Sequence, residues 1–288
     1  MRFFLIWLFP CLLFANPAPS PVANEKFLSN GKIKIGLDLS SGGSIFWFSE
    51  LPEDRNLLNH HDRGRFIQQS YYGKKDGSKW VEKPWCWNPV QGGDYRGKPA
   101  RLLETRESKA EIYVRSIPIN WAGGEELDEC RMEEWITLKG KVACLRFRFS
   151  YKGDTSHPAR HQELPAVFVD HTLSELVYYQ GKKPWTAGAL RKETPGWPNE
   201  YRDIDEEWAA FTGPDGRGLA VYFPGTRQIT CYRHPGEAGP KGGGCSYFAP
   251  IQTLAITPGF VHDYQVYLTI GTAEEMRARF DAIRKSKP

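Results

Sequence analysis

Residues 32–39, Lys-Ile-Lys-Ile-Gly-Leu-Asp-Leu, place an apolar side chain at every second position. A period of two belongs to a strand with one buried and one wet side, so Ile33, Ile35, Leu37 and Leu39 are expected on a single face. The turn signal Ser41-Gly42-Gly43 and the run from Ser44 to Phe48 then bring the chain back as a hairpin. Further strands are read at Glu111 to Ile117, Met132 to Leu138, Val142 to Ser150, Ala166 to Asp170, Leu219 to Phe223, Gln228 to Tyr232, Tyr247 to Ile256 and Asp263 to Ile270. In the arm after Lys139-Gly140-Lys141, Leu145, Phe147 and Phe149 alternate with Arg146 and Arg148, giving a core face and an open face. Only the C-terminus reads as a helix: Thr272 and Glu275 make a capping box, and Met276, Phe280 and Ile283 fall on one stripe. Many short strands, Gly/Pro turns and one terminal helix predict an all-β chain, a two-sheet antiparallel β-sandwich.

The chain starts with Met1-Arg2 and a short apolar run ending in Phe14-Ala15, followed by Pro17, Pro19 and Pro21. This predicts a signal peptide over residues 1–15, a linker over 16–30 and one domain over 31–288, exported to the periplasm or the medium, with no membrane span left after cleavage. About 270 residues remain, enough for a single large core. The net charge of +4 comes from interspersed residues rather than basic blocks, which argues against nucleic acid as a partner. Beyond Cys11 there are five cysteines, so at least one stays unpaired; Cys231 and Cys245 flank a Gly/Pro-rich loop and are candidates for a disulfide closing it. No C-x-x-C pair, H-E-x-x-H or nucleotide, flavin or haem motif is present. No cofactor is therefore expected, with a structural calcium ion left open. Oligomeric state is not legible.

Functional residues concentrate between Asn56 and Asp94. That stretch holds His60, His61, Asp62, Arg63, Arg65, Gln68, Gln69, Tyr71, Tyr72, Trp80, Trp85, Trp87, Asn88, Gln91 and Asp94. Amides and guanidinium groups hydrogen-bond vicinal hydroxyls, and flat rings offer a surface to the C–H face of a pyranose. The mixture suits a sugar-binding cleft. Two long connections, 73–100 and 179–206, carry further tryptophans (Trp185 and Trp197 in the second) and are candidate cleft walls.

Gly42-Gly43-Ser44-Ile45, Asn56-Leu57-Leu58-Asn59 and Asp62-Arg63-Gly64-Arg65-Phe66-Ile67-Gln68 resemble the opening of the galactose mutarotase-like β-supersandwich proteins, and Pro258-Gly259 with Asp263 to Leu268 resembles their close. The resemblance implies a fold and a carbohydrate ligand more than a reaction. Mutarotases proper use a His general acid and a Glu general base; the nearest counterparts in this chain are His161 or His171 and Glu163 or Glu207.

His161 and Glu163 point the same way on an extended strand, and a His and a carboxyl on one wall can share proton transfer. Asp205-Glu206-Glu207 before an apolar strand adds further acids. The expected catalytic groups are His161, Glu163 and Asp94. Expected substrate contacts are His61, Arg65, Gln68, Tyr71, Tyr72, Trp87, Asn88, Gln91 and Glu207. The expected function is cleavage of glycosidic bonds in a poly- or oligosaccharide, hydrolysis ahead of β-elimination on a uronate-containing glycan. A sugar epimerase or mutarotase and a non-catalytic carbohydrate-binding protein are the alternatives.

Overall fold

The computed structural model describes residues 24–62, 64–239 and 241–286. The expected signal peptide, Cys11 and the first part of the linker lie outside the described residues. Two large antiparallel sheets face each other. One has seven strands, in the order Ile119–Asn120, Pro89–Val90, Gln68–Ser70, His157–Val169, Cys245–Ile256, Gln228–His234 and Glu200–Asp203. The other has nine: Arg191–Glu193, Glu175–Tyr178, Trp208–Thr212, Arg217–Tyr222, Val261–Thr272, Val142–Tyr151, Cys130–Lys139, Glu111–Ile117 and Arg101–Glu107. The opening hairpin, Ile33–Asp38 with Ser44–Glu50, forms a third sheet with Glu25–Ser29. Residues expected as linker thus add a strand, because Leu28 finds a buried place against the hairpin.

The alternating residues behave as the period demands. Ile33, Ile35 and Leu37 are fully buried, together with Leu145 and Phe147, in the core between the layers. Arg146 and Arg148 point outward, where both pair with Asp263 and lie over the Trp135 ring. At the hairpin's turn Gly42 has φ +61°, and a Cβ there would come within 2.1 Å of the Gln91 carbonyl oxygen, so this position requires glycine.

The helix Ala273–Ser286 covers the outside of the nine-stranded sheet, with Met276 and Phe280 buried against Trp208, Ala210, Ala220 and Tyr222. Its capping box closes: the Glu275 amide donates to Thr272 Oγ1 at 3.3 Å, and the Thr272 amide to Glu275 Oε2 at 3.0 Å. Replacing Thr272 with Ala is expected to lower unfolding free energy by about 1 kcal/mol. Urea titration that detects no change would show the cap to be idle.

The cysteine expectation is corrected. None of the five described cysteines forms a disulfide. Cys231 pairs in register with Phe248 and points into the intersheet core, whereas Cys245 pairs with His234 and belongs to the cluster on the opposite face of the sheet. Positions of opposite parity on a hairpin cannot be bridged. Among the described residues no helix is long and apolar enough to cross a membrane, and no three His, Cys, Asp or Glu side chains are grouped to hold a metal ion.

Candidate functional site

The open face of the seven-stranded sheet floors a cleft of about 390 Å³. Gln68 and Ser70, Glu163, Ala166 and Phe168, Tyr247, and Tyr232 and His234 rise from four neighbouring strands. The two long connections supply walls: Trp80, Trp85 and Tyr95 from one, Trp197 and Asn199 from the other, with Trp121 packed against Tyr95. Both are more structured than expected. The first carries the small hairpin Lys79–Trp80 with Lys83–Pro84, and the second carries strands that edge each of the two sheets.

Glu163 is the chemical centre. Tyr72 donates its hydroxyl to Glu163 Oε2 at 2.6 Å. Burial raises the carboxyl's pKa above its usual value, and the hydrogen bonds of Tyr72 and the influence of Tyr247 only partly offset this. The proton is therefore held to higher pH than on a free carboxyl. Tyr247 faces the same carboxyl without closing a full hydrogen bond, and its buried hydroxyl has no partner among the described residues. A buried donor left open beside a protonatable acid is a place for a ligand oxygen.

At the other end Arg65 and Asp62 form an ion pair at 2.5 Å. Arg65 Nη1 also donates to the Gly243 carbonyl at 2.8 Å. His234 accepts the Gly236 amide at Nδ1, which leaves Nε2 as its donor in the neutral ring. Burial, then the nearby Arg65, lowers its pKa and favours that neutral form.

Of the residues read from the sequence, the structure brings Arg65, Gln68, Tyr72, Asn88 and Glu163 to this cleft, and the others elsewhere. Tyr71 points through the sheet into the intersheet core, stacked on Phe149 at 4.0 Å with its hydroxyl 3.1 Å from His262. Trp87 lies in the same inner layer, stacked on His157. Gln91 is buried against Glu134. Residues of one parity face the cleft and those of the other face the core, so a cluster read as one surface is divided between two. Asp94 is buried and closes a turn by accepting the amides of Arg96 and Lys98 at 2.9 and 2.7 Å. It lines, with His61, a smaller crevice of about 300 Å³ behind Arg65, not the space at Glu163. His161 does share Glu163's strand but is exposed beyond the cleft, 3.3 Å from Thr253 Oγ1. Glu207 accepts the Gly225 amide and pairs with Arg227, away from the cleft.

Even residues inside the cleft have roles other than those expected. Gln68 spends its amide on the Gly64 carbonyl and the Gly92 amide. Asn88 donates to Ser70 Oγ and the Tyr71 carbonyl and accepts the Trp85 indole N–H. They hold the cleft's shape. The sequence reading missed Tyr232, His234 and Tyr247. The signal was the alternation of Tyr232 with Cys231 and of Tyr247 with Phe248, which marks one face as polar aromatic. A larger, more open groove of about 700 Å³ lies at the sandwich edge, but its Asp263 is committed to Arg146 and Arg148, and its His262 to Tyr71.

The fold is that of the galactose mutarotase-like β-supersandwich. A galactose mutarotase-like protein from Lactobacillus casei superposes with TM-score 0.57 over 86% of this chain and 100% of that one, at 9% identity. The galactose mutarotase related enzyme from Lactobacillus acidophilus gives 0.56 over 86% and 97%, also at 9%. The 4-alpha-glucanotransferase from Thermococcus litoralis gives 0.50, at 13% identity, with 85% of this chain covering 37% of that larger one. No protein-family model and no curated sequence matches this chain.

Proposed function

We propose that the protein is a carbohydrate-active enzyme that interconverts the anomers of a reducing sugar, with Glu163 as its proton-transferring group. The observation that carries this reading is the half-buried, protonatable Glu163 carboxyl in the cleft beside the Tyr247 hydroxyl, which has no hydrogen-bond partner among the described residues. Glu163 gives its proton to the ring oxygen as the C1–O5 bond breaks, the anomeric hydroxyl loses its proton to water as the carbonyl forms, and Tyr247 hydrogen-bonds that oxygen. Reclosure from the other face of C1 reverses each transfer. Tyr72, whose own pKa burial and Glu163 push well above 10, remains a donor and orients the carboxyl.

Hydrolysis, expected first from the sequence, has less support. A glycosidase needs two carboxyl groups about 5 to 10 Å apart. The cleft's second carboxyl, Asp62, is held in an ion pair by Arg65 and is not free to act as base or nucleophile. Elimination has less still, because the arginine that would neutralise a uronate carboxylate is already paired. The likeness of fold to mutarotase-related proteins agrees with anomeric chemistry. Export of the protein remains part of the proposal.

Glu163→Gln is expected to slow catalysed anomeric exchange, followed by NMR or polarimetry, at least about a hundredfold while leaving the fold intact. Exchange at the parent rate would remove Glu163 from the reaction. Release of new reducing ends from a glycan would favour hydrolysis instead.

A further inference from the structure

Beyond Glu163 the cleft continues. From Glu163 the floor runs past Tyr247, which stacks on Tyr232 with 4.4 Å between ring centroids, to Trp197 on the far side of Tyr232, so three aromatic side chains separate its two ends. One pyranose ring fills a fraction of that floor. Aromatic side chains mark both ends. Trp85 lies against Tyr72, with 6.4 Å between ring centroids, near Glu163. Trp197 stands at the far end, meeting Tyr232 and His234 edge-on at 4.8 Å each. Trp197 is nevertheless 48% exposed, an indole fixed in place by two neighbours with half its surface left open. Charge is the remaining constraint. Arg65 is already paired with Asp62, and the other described residues lining the cleft include no lysine or arginine, so no free cation among them meets an anionic ligand there.

Building on the anomeric reading above, we infer that the substrate is the reducing end of an uncharged saccharide chain. The terminal ring, with its free hemiacetal, sits at Glu163, and the preceding rings run along the floor toward Trp197. A chain has a free hemiacetal at that end alone, so its direction in the cleft follows from the chemistry. The bond changes are those given above and leave every glycosidic linkage intact. The reaction that supplies such a substrate is stereospecific cleavage of a glycan, which releases chains in one anomeric form.

The test uses malto-, cello- and xylo-oligosaccharides from the monosaccharide to the pentasaccharide, with oligogalacturonides as the charged comparison. Binding is measured by calorimetry on Glu163→Gln and anomeric exchange by NMR on the parent protein. In at least one neutral series affinity should climb with each ring until the cleft is filled, and kcat/KM for exchange should climb with it. Trp197→Ala should flatten that climb, costing the longest chain about tenfold in affinity, the scale of one lost aromatic contact. Affinity and exchange independent of chain length would overturn the chain inference and leave anomeric exchange standing. Length-dependent binding without exchange would leave the chain in place and sink the reaction. Oligogalacturonides bound as tightly as the best neutral chain would overturn the uncharged part, and no binding in any series would overturn the whole.

Discussion

Glu134→Gln is expected to make the protein more stable above neutral pH, by about 5 kcal/mol once the medium passes pH 8. Glu134 is fully buried between the sheets, and burial lifts its pKa to about 8 against the single stabilising bond it accepts from Gln91 Nε2 at 3.0 Å. Its other oxygen has no partner among the described residues. The unfolded chain releases this proton near pH 4.5, but the folded chain holds it until about 8. Folding therefore binds a proton through that window. The contribution is fully present below about 4.5, falls as pH rises, and is gone above 8; at about 1.4 kcal/mol per pKa unit the total is the 5 kcal/mol expected. Glutamine has no proton to lose and keeps an acceptor for Gln91. Urea unfolding at pH 5, 7 and 9 should give curves for the two proteins that nearly meet at the acid end and separate steadily toward the alkaline one. Parallel pH profiles would mean that the carboxyl ionises without cost. The site is coupled to this group through the chain: Gln91 accepts the Gln69 amide at 3.3 Å, and the Gly92 amide reaches Gln68 Oε1 on the cleft floor at 3.1 Å.

The second large effect is at the helix. Arg277 grips the fully buried Glu206 with two nitrogens, at 2.5 and 2.8 Å, and gives a third hydrogen bond to the Gly188 carbonyl. Glu206 also accepts the Trp208 indole N–H at 3.0 Å and the Trp185 amide at 2.5 Å. One carboxylate thereby ties the helix, the nine-stranded sheet and the 179–206 connection together. Arg277→Ala leaves that carboxylate buried without its counter-charge, a loss of about 3 to 5 kcal/mol. A melting temperature lower by about 10 °C should accompany it in a chain of this size. Arg277→Lys, which keeps the charge and loses the fork, should fall between. A change below about 1 kcal/mol would show that water reaches Glu206 and replaces the arginine.

Much of the architecture was legible because it is written in period. Ile33, Ile35 and Leu37, or Leu145, Phe147 and Phe149, repeat at two, and the terminal helix carries its cap and its stripe. The edge strands were not, since Arg191–Glu193 and Glu200–Asp203 have no buried face to write and are held by the sheets they join. The candidate site was half legible. Composition located the Asn56–Asp94 segment, and extended geometry placed Glu163, but neither reveals which polar side chains are already satisfied. Gln68, Asn88 and Arg65 have the chemistry to hold a sugar and spend it on the protein. Tyr232, His234 and Tyr247 come from the distant end of the chain, and only the order of strands across the sheet brings them beside Glu163.

Tyr71 and Tyr72 send their side chains to opposite faces of one sheet, the first to His262 in the core and the second to Glu163 in the cleft. That arrangement tolerates a change of side chain far better than a change of count. Removing or adding one residue just before Gln68 would swap the inward and outward sets together, so over descent this segment can drift in composition while its length stays frozen. The stretches 74–86 and 180–190 of the neighbouring connections lie outside the two large sheets and have no such lock, and insertions there are the route by which relatives could reshape the walls around an unchanged floor.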